Sequence, residues 1–273
     1  MTDSLTWIFI FCAYALLWWP AARKAGLALL ICGLGLAAAQ SALTLPSLLA
    51  FALLIASGWL VRGTRQAWLG HLIFIITAIA LALHLLPGFH NPLIIDSTAL
   101  KPGSTPMRLY FNLDKPLIAW WVLLVMAPPF LRFGWQDSLR TGLQAGIAAA
   151  ICCLGLAWVL GALAWSPGWP SQGWPWLLNN ALLVTMAEEA FFRAYIQRGL
   201  ALRLGPAPAC LLAALLFGLA HFAGGPALIG LAALAGLFYG WAFHRGGLAA
   251  AVLAHLLLNT LHLALFSYPA LAH

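Results

Sequence analysis

Charge is what this chain has least of. Among 273 residues there are six Asp and Glu against 13 Lys and Arg, charged residues make up 7% and hydrophobic ones 64%, and the mean hydropathy is +0.96. So few polar groups cannot cover a folded surface, which excludes a water-soluble globular domain. The strand-like alternation of a membrane barrel is missing as well, because the apolar runs are continuous and rich in Leu and Ala. No CxxC pattern occurs. Cys12, Cys32, Cys152, Cys153 and Cys210 all sit in apolar runs and read as small buried hydrophobes. There is no HExxH helix, no GxSxG nucleophile turn and no GxGxxG or phosphate loop. Asp3, Asp96, Asp114 and Asp137 fall in predicted loops or tails, so an intramembrane aspartate pair is excluded. The net charge of +7 is not gathered into basic patches with aromatic support, which argues against nucleic acid as a partner.

What is present is a succession of apolar runs, each near the ~20 residues a helix needs to cross hydrocarbon. The expected fold is all-α, a polytopic transmembrane helix bundle of about 8–10 spans. The spans read as roughly 6–22, 26–44, 47–61, 67–87, 117–132, 142–164, 177–200, 207–223, 226–243 and 248–267. The third, fifth and ninth are short or broken by Gly. The start, "MTDSLTW", carries Asp3 and no basic residue before the first run, so a retained anchor is expected rather than a cleaved signal peptide.

Basic residues set the expected orientation. Arg23 and Lys24, Arg62 and Arg65, Arg132 and Arg140, Arg198 and Arg203, and Arg245 fall in every second connection, while those around Pro46, 165–176 and Gly224–Gly225 carry none. That alternation predicts ten crossings with both termini outside the cytoplasm, in a membrane expected to be the bacterial inner one. The 88–116 loop departs from it, with Lys101, Arg108 and Lys115, but long segments obey the rule weakly. The Trp-rich "WSPGWPSQGWPW" at 165–176 suits a segment at the headgroup level.

Two regions differ in kind. Residues 1–140 are span after span with charge only in the connections, and are expected to be N-terminal helices with an accessory or substrate-recognition role. Residues 141–273 hold every charge predicted within the membrane and are the expected catalytic core. Within "VTMAEEAFFRAYIQRGL", Glu188, Glu189 and Arg193 lie in a greasy helix, where each charge is expensive by a few kcal/mol. Glu189 and Arg193 are i and i+4 and can pair as a structural ion pair. Glu188 is turned about 100° from that face. Later helices add "FGLAH", with His221 four residues after Phe217, and "LAHLLLNTLH", with His255 and Asn259 on one face and His262 near the same stripe. Separate burial of each polar group would be costly, so one shared cavity is expected.

Such a set supports hydrolysis of a peptide bond. A carboxylate in a poorly solvated site can take a proton from water and return it to a leaving amine, the role that suits Glu188. A histidine bonded to the same water would orient it, which suits His221. An imidazole and a carboxamide one turn apart can donate to an oxyanion, which suits His255 and Asn259.

The three motifs, EExxxR at 188–193, FxxxH at 217–221 and HxxxN at 255–259, in this order on successive helices, resemble those of the CAAX-processing and bacteriocin-processing (abortive-infection type) intramembrane proteases. The resemblance covers about a third of the chain, roughly 180–262. It implies Glu188 as catalytic glutamate, His221 as its partner, His255 and Asn259 as the oxyanion pair, and Glu189 with Arg193 as the element holding the helix. It also implies a membrane-anchored protein or peptide substrate: a C-terminal anchor or sorting segment, a prenylated tail or a leader. No cofactor is expected, with zinc held by Glu188, His221 and His255 as the alternative. A carrier or a non-catalytic scaffold would draw on the same buried Glu, His and Arg residues. The residues leave oligomeric state open.

Overall fold

The computed structural model describes residues 3–128 and 133–272, so Arg132 and the last residues of the fifth expected span lie outside the described residues. Helix accounts for most of the chain. It runs through α1 (Ser4–Leu16), α2 (Arg23–Ala39), α3 (Leu48–Gly63), α4 (Ala67–Ala82), α5 (Leu117–Trp121), α6 (Trp135–Val159), α7 (Gly173–Asn179), α8 (Thr185–Glu189), α9 (Arg198–Leu204), α10 (Pro206–Leu219) and α11 (Gly225–Leu265). Among the described residues four stretches are long and apolar enough to cross a membrane, namely Pro20–Ala39, Leu45–Gly63, Trp135–Val159 and Phe222–Leu265, and four shorter apolar helices accompany them. Large aliphatic side chains stand open to the surroundings, Ile55 at 72% and Val159 at 77%, as suits a surface that meets lipid rather than water. The protein is an integral membrane protein built as an all-α polytopic bundle.

Packing divides the chain into two units. The first comprises the chain up to Ile94, together with Tyr110–Ala127 and Leu182–Ala187. Its helices approach through glycine. A Cβ on Gly33 of α2 would stand 2.8 Å from Ile10 of α1, and one on Gly70 of α4 would stand 2.7 Å from the Ser57 carbonyl of α3. Past α5 the backbone widens into a π-turn, Val122–Met126, and stops at Ala127 in the left-handed region. A helix that ends this way leaves carbonyls without intrahelical donors and a partial negative charge. Arg23 donates to Leu123 O at 3.5 Å, and Arg62 donates to Val125 O at 3.0 Å and to Leu124 O. Two of the basic residues that mark topology thus also cap a helix. The start of the 88–116 loop is anchored by Asp114, buried at 1%, which accepts from His84 Nδ1 at 2.7 Å and Asn91 Nδ2 at 3.1 Å.

The second unit comprises Ile95–Leu109, the chain from α6 to Ala181, and Glu188 onward. Its centre is α11, whose Gly247 has φ 76 and ψ −170, a conformation open to glycine and strained for other residues. The break folds the helix back on itself. Tyr239 and His255, eight residues to either side of Gly247, have ring centroids 4.6 Å apart, whereas a straight helix would hold them about 24 Å apart. Ser138 Oγ donates to Gly246 O at 2.7 Å, occupying a carbonyl at the break. The ninth and tenth expected spans are the two limbs of this hairpin. Helix α6 lies against the second limb through Gly142 and Gly146, whose added Cβ atoms would meet the Ala250 and Ala254 carbonyls at 2.9 and 3.0 Å, and α10 meets the first limb at Gly218.

Two differences from expectation concern connections. The 88–116 loop holds a two-stranded sheet, β1 (Leu93–Thr98) with β2 (Met107–Tyr110). Ile94, Ile95 and Tyr110 suit the extended backbone, as β-branched and aromatic residues do. Also, α10 stops at Leu219, four residues before the expected end of the eighth span at 223, so His221 lies just beyond the helix. At the far end of α11 the charge of Lys101 is used as a cap: its Nζ donates to Ala264 O at 3.0 Å and to Ser166 O, and desolvation lowers its pKa.

Candidate active site

Helix geometry changes around the two glutamates. The five α-helical residues of α8, Thr185–Glu189, are bracketed by π-helical stretches at Asn180–Val184 and Ala190–Gln197. A π-turn carries an extra residue and rotates the side chains that follow, and such turns concentrate at functional sites. Here the second one keeps Arg193 and Gln197 facing the first limb of α11. Arg193 Nη2 donates to Gly236 O at 3.1 Å and Gln197 Nε2 donates to Gly240 O at 2.9 Å. These carbonyls belong to a helix and have a second lone pair to offer. They are reachable because glycine leaves the surface bare: a Cβ on Gly240 would come within 2.5 Å of Cys210 Sγ and 2.8 Å of Gln197 Oε1.

Glu189 and Arg193 are both fully buried, with Arg193 Nε 3.2 Å from Glu189 Oε2. That approach is an ion pair outside hydrogen-bond geometry, and Arg193 Nη1 has no hydrogen-bond partner among the described residues. Aromatic faces supply the rest. The guanidinium carbon lies 4.6 Å from the Phe217 ring centre and 5.3 Å from that of Tyr239, a cation–π enclosure. The pairing expected from the i, i+4 spacing is therefore formed, but it does not stand alone.

His255 joins it. Its Nδ1 lies 2.8 Å from Glu189 Oε1, and since an ionised carboxylate only accepts, Nδ1 carries the hydrogen. The other nitrogen, Nε2, lies 3.9 Å from Glu188 Oε2, and the Glu188 side chain is 13% exposed. The ring is clamped between Tyr239, nearly parallel at 4.6 Å, and the edge-on Phe217 at 5.6 Å. Two carboxylates, an imidazole and a guanidinium thus share one cluster, in which groups able to carry positive charge stand beside the carboxylates. That pairing is what burial of such a cluster requires.

His221 reaches the cluster through Phe217. Its Nδ1 lies 2.8 Å from the Phe217 carbonyl and its ring 4.7 Å from that of Phe217, the same ring that faces Arg193 and His255. A carbonyl only accepts, so Nδ1 is the protonated nitrogen and Nε2 of the neutral ring keeps a lone pair. Asn259, one turn beyond His255, donates from Nδ2 to Asn180 Oδ1 at 3.1 Å. His262 turns away to Ser267 O, 3.2 Å from its Nε2.

Sequence reasoning missed two members of this group and the part played by a third. Phe217 opens the FxxxH motif, but its spacing does not show that its ring meets Arg193 and His255. Tyr239 is a buried aromatic among many, without a pattern that separates it from packing residues. Asn180 did leave a signal: "NN" at 179–180 is a polar pair inside an apolar run, and Asn180 precedes Glu188 by eight residues, on the same helical face. The role of Glu189 is also broader than an ion pair with Arg193, since it holds an imidazole as well. As for a metal, among the described residues no group of three or more His, Cys, Asp and Glu is placed to hold an ion.

Residues 169–261 match the Rce1-like family, described as type II CAAX prenyl endopeptidase Rce1-like. The matched segment contains Glu188, Glu189, Arg193, His221, His255 and Asn259. Comparison with curated proteins and with solved structures finds no match.

Proposed function

We propose that this membrane protein, whose residues 169–261 carry the CAAX-protease family domain, is a glutamate-dependent intramembrane endopeptidase with Glu188 as general base. The observation that carries the proposal is the 3.9 Å approach of Glu188 Oε2 to His255 Nε2, with Glu189 gripping the far side of the same imidazole. Glu188 takes a proton from water as the oxygen attacks the scissile carbonyl, and returns it to the amine nitrogen as the C–N bond breaks. His221, with its Nε2 lone pair, accepts a hydrogen of that water and orients it. The carbonyl oxygen becomes an oxyanion that receives hydrogen bonds from His255 Nε2–H and an N–H of Asn259. The clamp of Tyr239, Phe217 and Glu189 fixes the imidazole beforehand, so no reorganisation accompanies the developing charge.

No step needs a metal ion or other cofactor. The substrate class that the family's description suggests is a prenylated C-terminal tail; a leader peptide or the C-terminal anchor of a surface protein fits the same chemistry. Segment 141–273 serves as the catalytic core and 1–140 as the accessory or recognition region, in a bacterial inner membrane with both termini outside the cytoplasm.

Purified protein carrying Glu188→Gln should lose cleavage of a membrane-anchored peptide by about 10²–10⁴ in kcat while unfolding at the wild-type temperature. A scaffold would tolerate the change, and a carrier would lose transport with no proteolysis to lose. Cleavage should survive a chelator, with no metal found by elemental analysis. Abolition by the chelator and restoration by zinc would overturn the metal-free mechanism.

A further inference from the structure

We infer that Asn180 is a positioning residue, one that orients the carboxamide of Asn259 toward the reacting carbonyl; this rests on the peptidase reading above. Asn259 alone is poorly constrained, since it is half-buried and a carboxamide at the end of two single bonds can turn. Asn180 removes that freedom. Its Oδ1 accepts one of the two Nδ2 hydrogens of Asn259 at 3.1 Å. The second hydrogen, in the fixed plane of the amide, is then held in one direction and is the one left for an oxyanion.

Placement in the fold supports this role. Asn180 is 8% exposed and opens the π-stretch Asn180–Val184, which leads into Glu188. The residue that aims the oxyanion donor and the residue that activates water thus sit on one composite helix, two turns apart. The opposite strand of the contact is α11, where Asn259 follows His255 by one turn. A change in register between these helices would move both halves of the site together. Neutral packing would not need an amide here: Asn179, its neighbour, is 3% exposed and its Oδ1 has no hydrogen-bond partner among the described residues, so polar groups at this level are not a by-product of easy solvation.

The test uses full-length protein in lipid vesicles and an internally quenched farnesylated CAAX peptide as probe. Four variants are compared: Asn180→Ala, Asn180→Asp, Asn259→Ala and the Asn180→Ala/Asn259→Ala double. Loss of an oxyanion donor lowers kcat ~10²–10³-fold, and loss of its orientation should remove part of that, about ten-fold, with KM unchanged because the bond acts in the transition state. Asn180→Asp keeps an acceptor at the same place and should restore most of the rate. The double variant should be no slower than Asn259→Ala alone. Additive losses, a rise in KM with kcat intact, or failure of Asp to rescue would each overturn the inference. If wild type does not cleave the probe, or Glu188→Gln cleaves as well as wild type, the peptidase reading falls and takes the inference with it. If Glu188→Gln is inactive but Asn180→Ala retains the full rate, the inference alone falls.

Discussion

Both units of this molecule bring arginine to main-chain carbonyls, and they do it in opposite ways. In the first, Arg62 is exposed and caps the π-turn after α5, and the half-buried Arg23 does the same. Charge stays at the helix end, where the partial negative charge of the carbonyls is met and, for the exposed Arg62, the surroundings can solvate the remainder. In the second, Arg193 is fully buried, its guanidinium shared among a carboxylate, the Gly236 carbonyl and two aromatic faces. A charge at the end of a helix needs little support. A charge in the middle needs a partner on every side, and that enclosure doubles as a preorganised electrostatic site.

The contrast can be broken from either end. Glu189→Ala or Arg193→Ala leaves its partner buried without a counter-charge and should destabilise the protein by about 3–5 kcal/mol, read as lower yield and earlier thermal unfolding in detergent. Glu189→Gln should be milder, because an acceptor for His255 Nδ1 persists. Gly240→Ala probes the next level. The added methyl meets Cys210 and Gln197 and should cost about 1–3 kcal/mol by overpacking, with activity falling only as far as stability does. Arg62→Gln should be the mildest, about 0.3–1 kcal/mol for a screened cap, and the proposed cleavage by the folded protein should be unchanged. An Arg62→Gln loss as large as that of Arg193→Ala would erase the distinction between capping and enclosure.

Much of the fold was legible because hydrocarbon imposes a simple rule: backbone groups must be satisfied within the segment, so apolar runs become helices. Each run named from the sequence contains helix among the described residues, and even the split between the ninth and tenth is present, at Gly247. The candidate site was legible in part, because charge within such runs is too costly to be idle. Spacing found the Glu189–Arg193 pair. Spacing could not show that Glu189 also holds His255, since those residues are 66 apart in the chain and meet only when α11 folds back. The π-stretches around α8 were equally hidden, because residue types at Asn180–Val184 and Ala190–Gln197 do not differ from those of an ordinary α-helix.

The sequence by itself determined the membrane class, the position of the helices and the short list of polar residues that had to find company, since each follows from the solvation of individual groups along the chain. Only the tertiary structure decided who keeps company with whom: Glu189 with His255, Asn180 with Asn259, Phe217 between both histidines and Arg193. Those pairings depend on a hairpin at one glycine and on the few ångströms that Gly236 and Gly240 leave open, and distances of that kind arise between segments rather than within them.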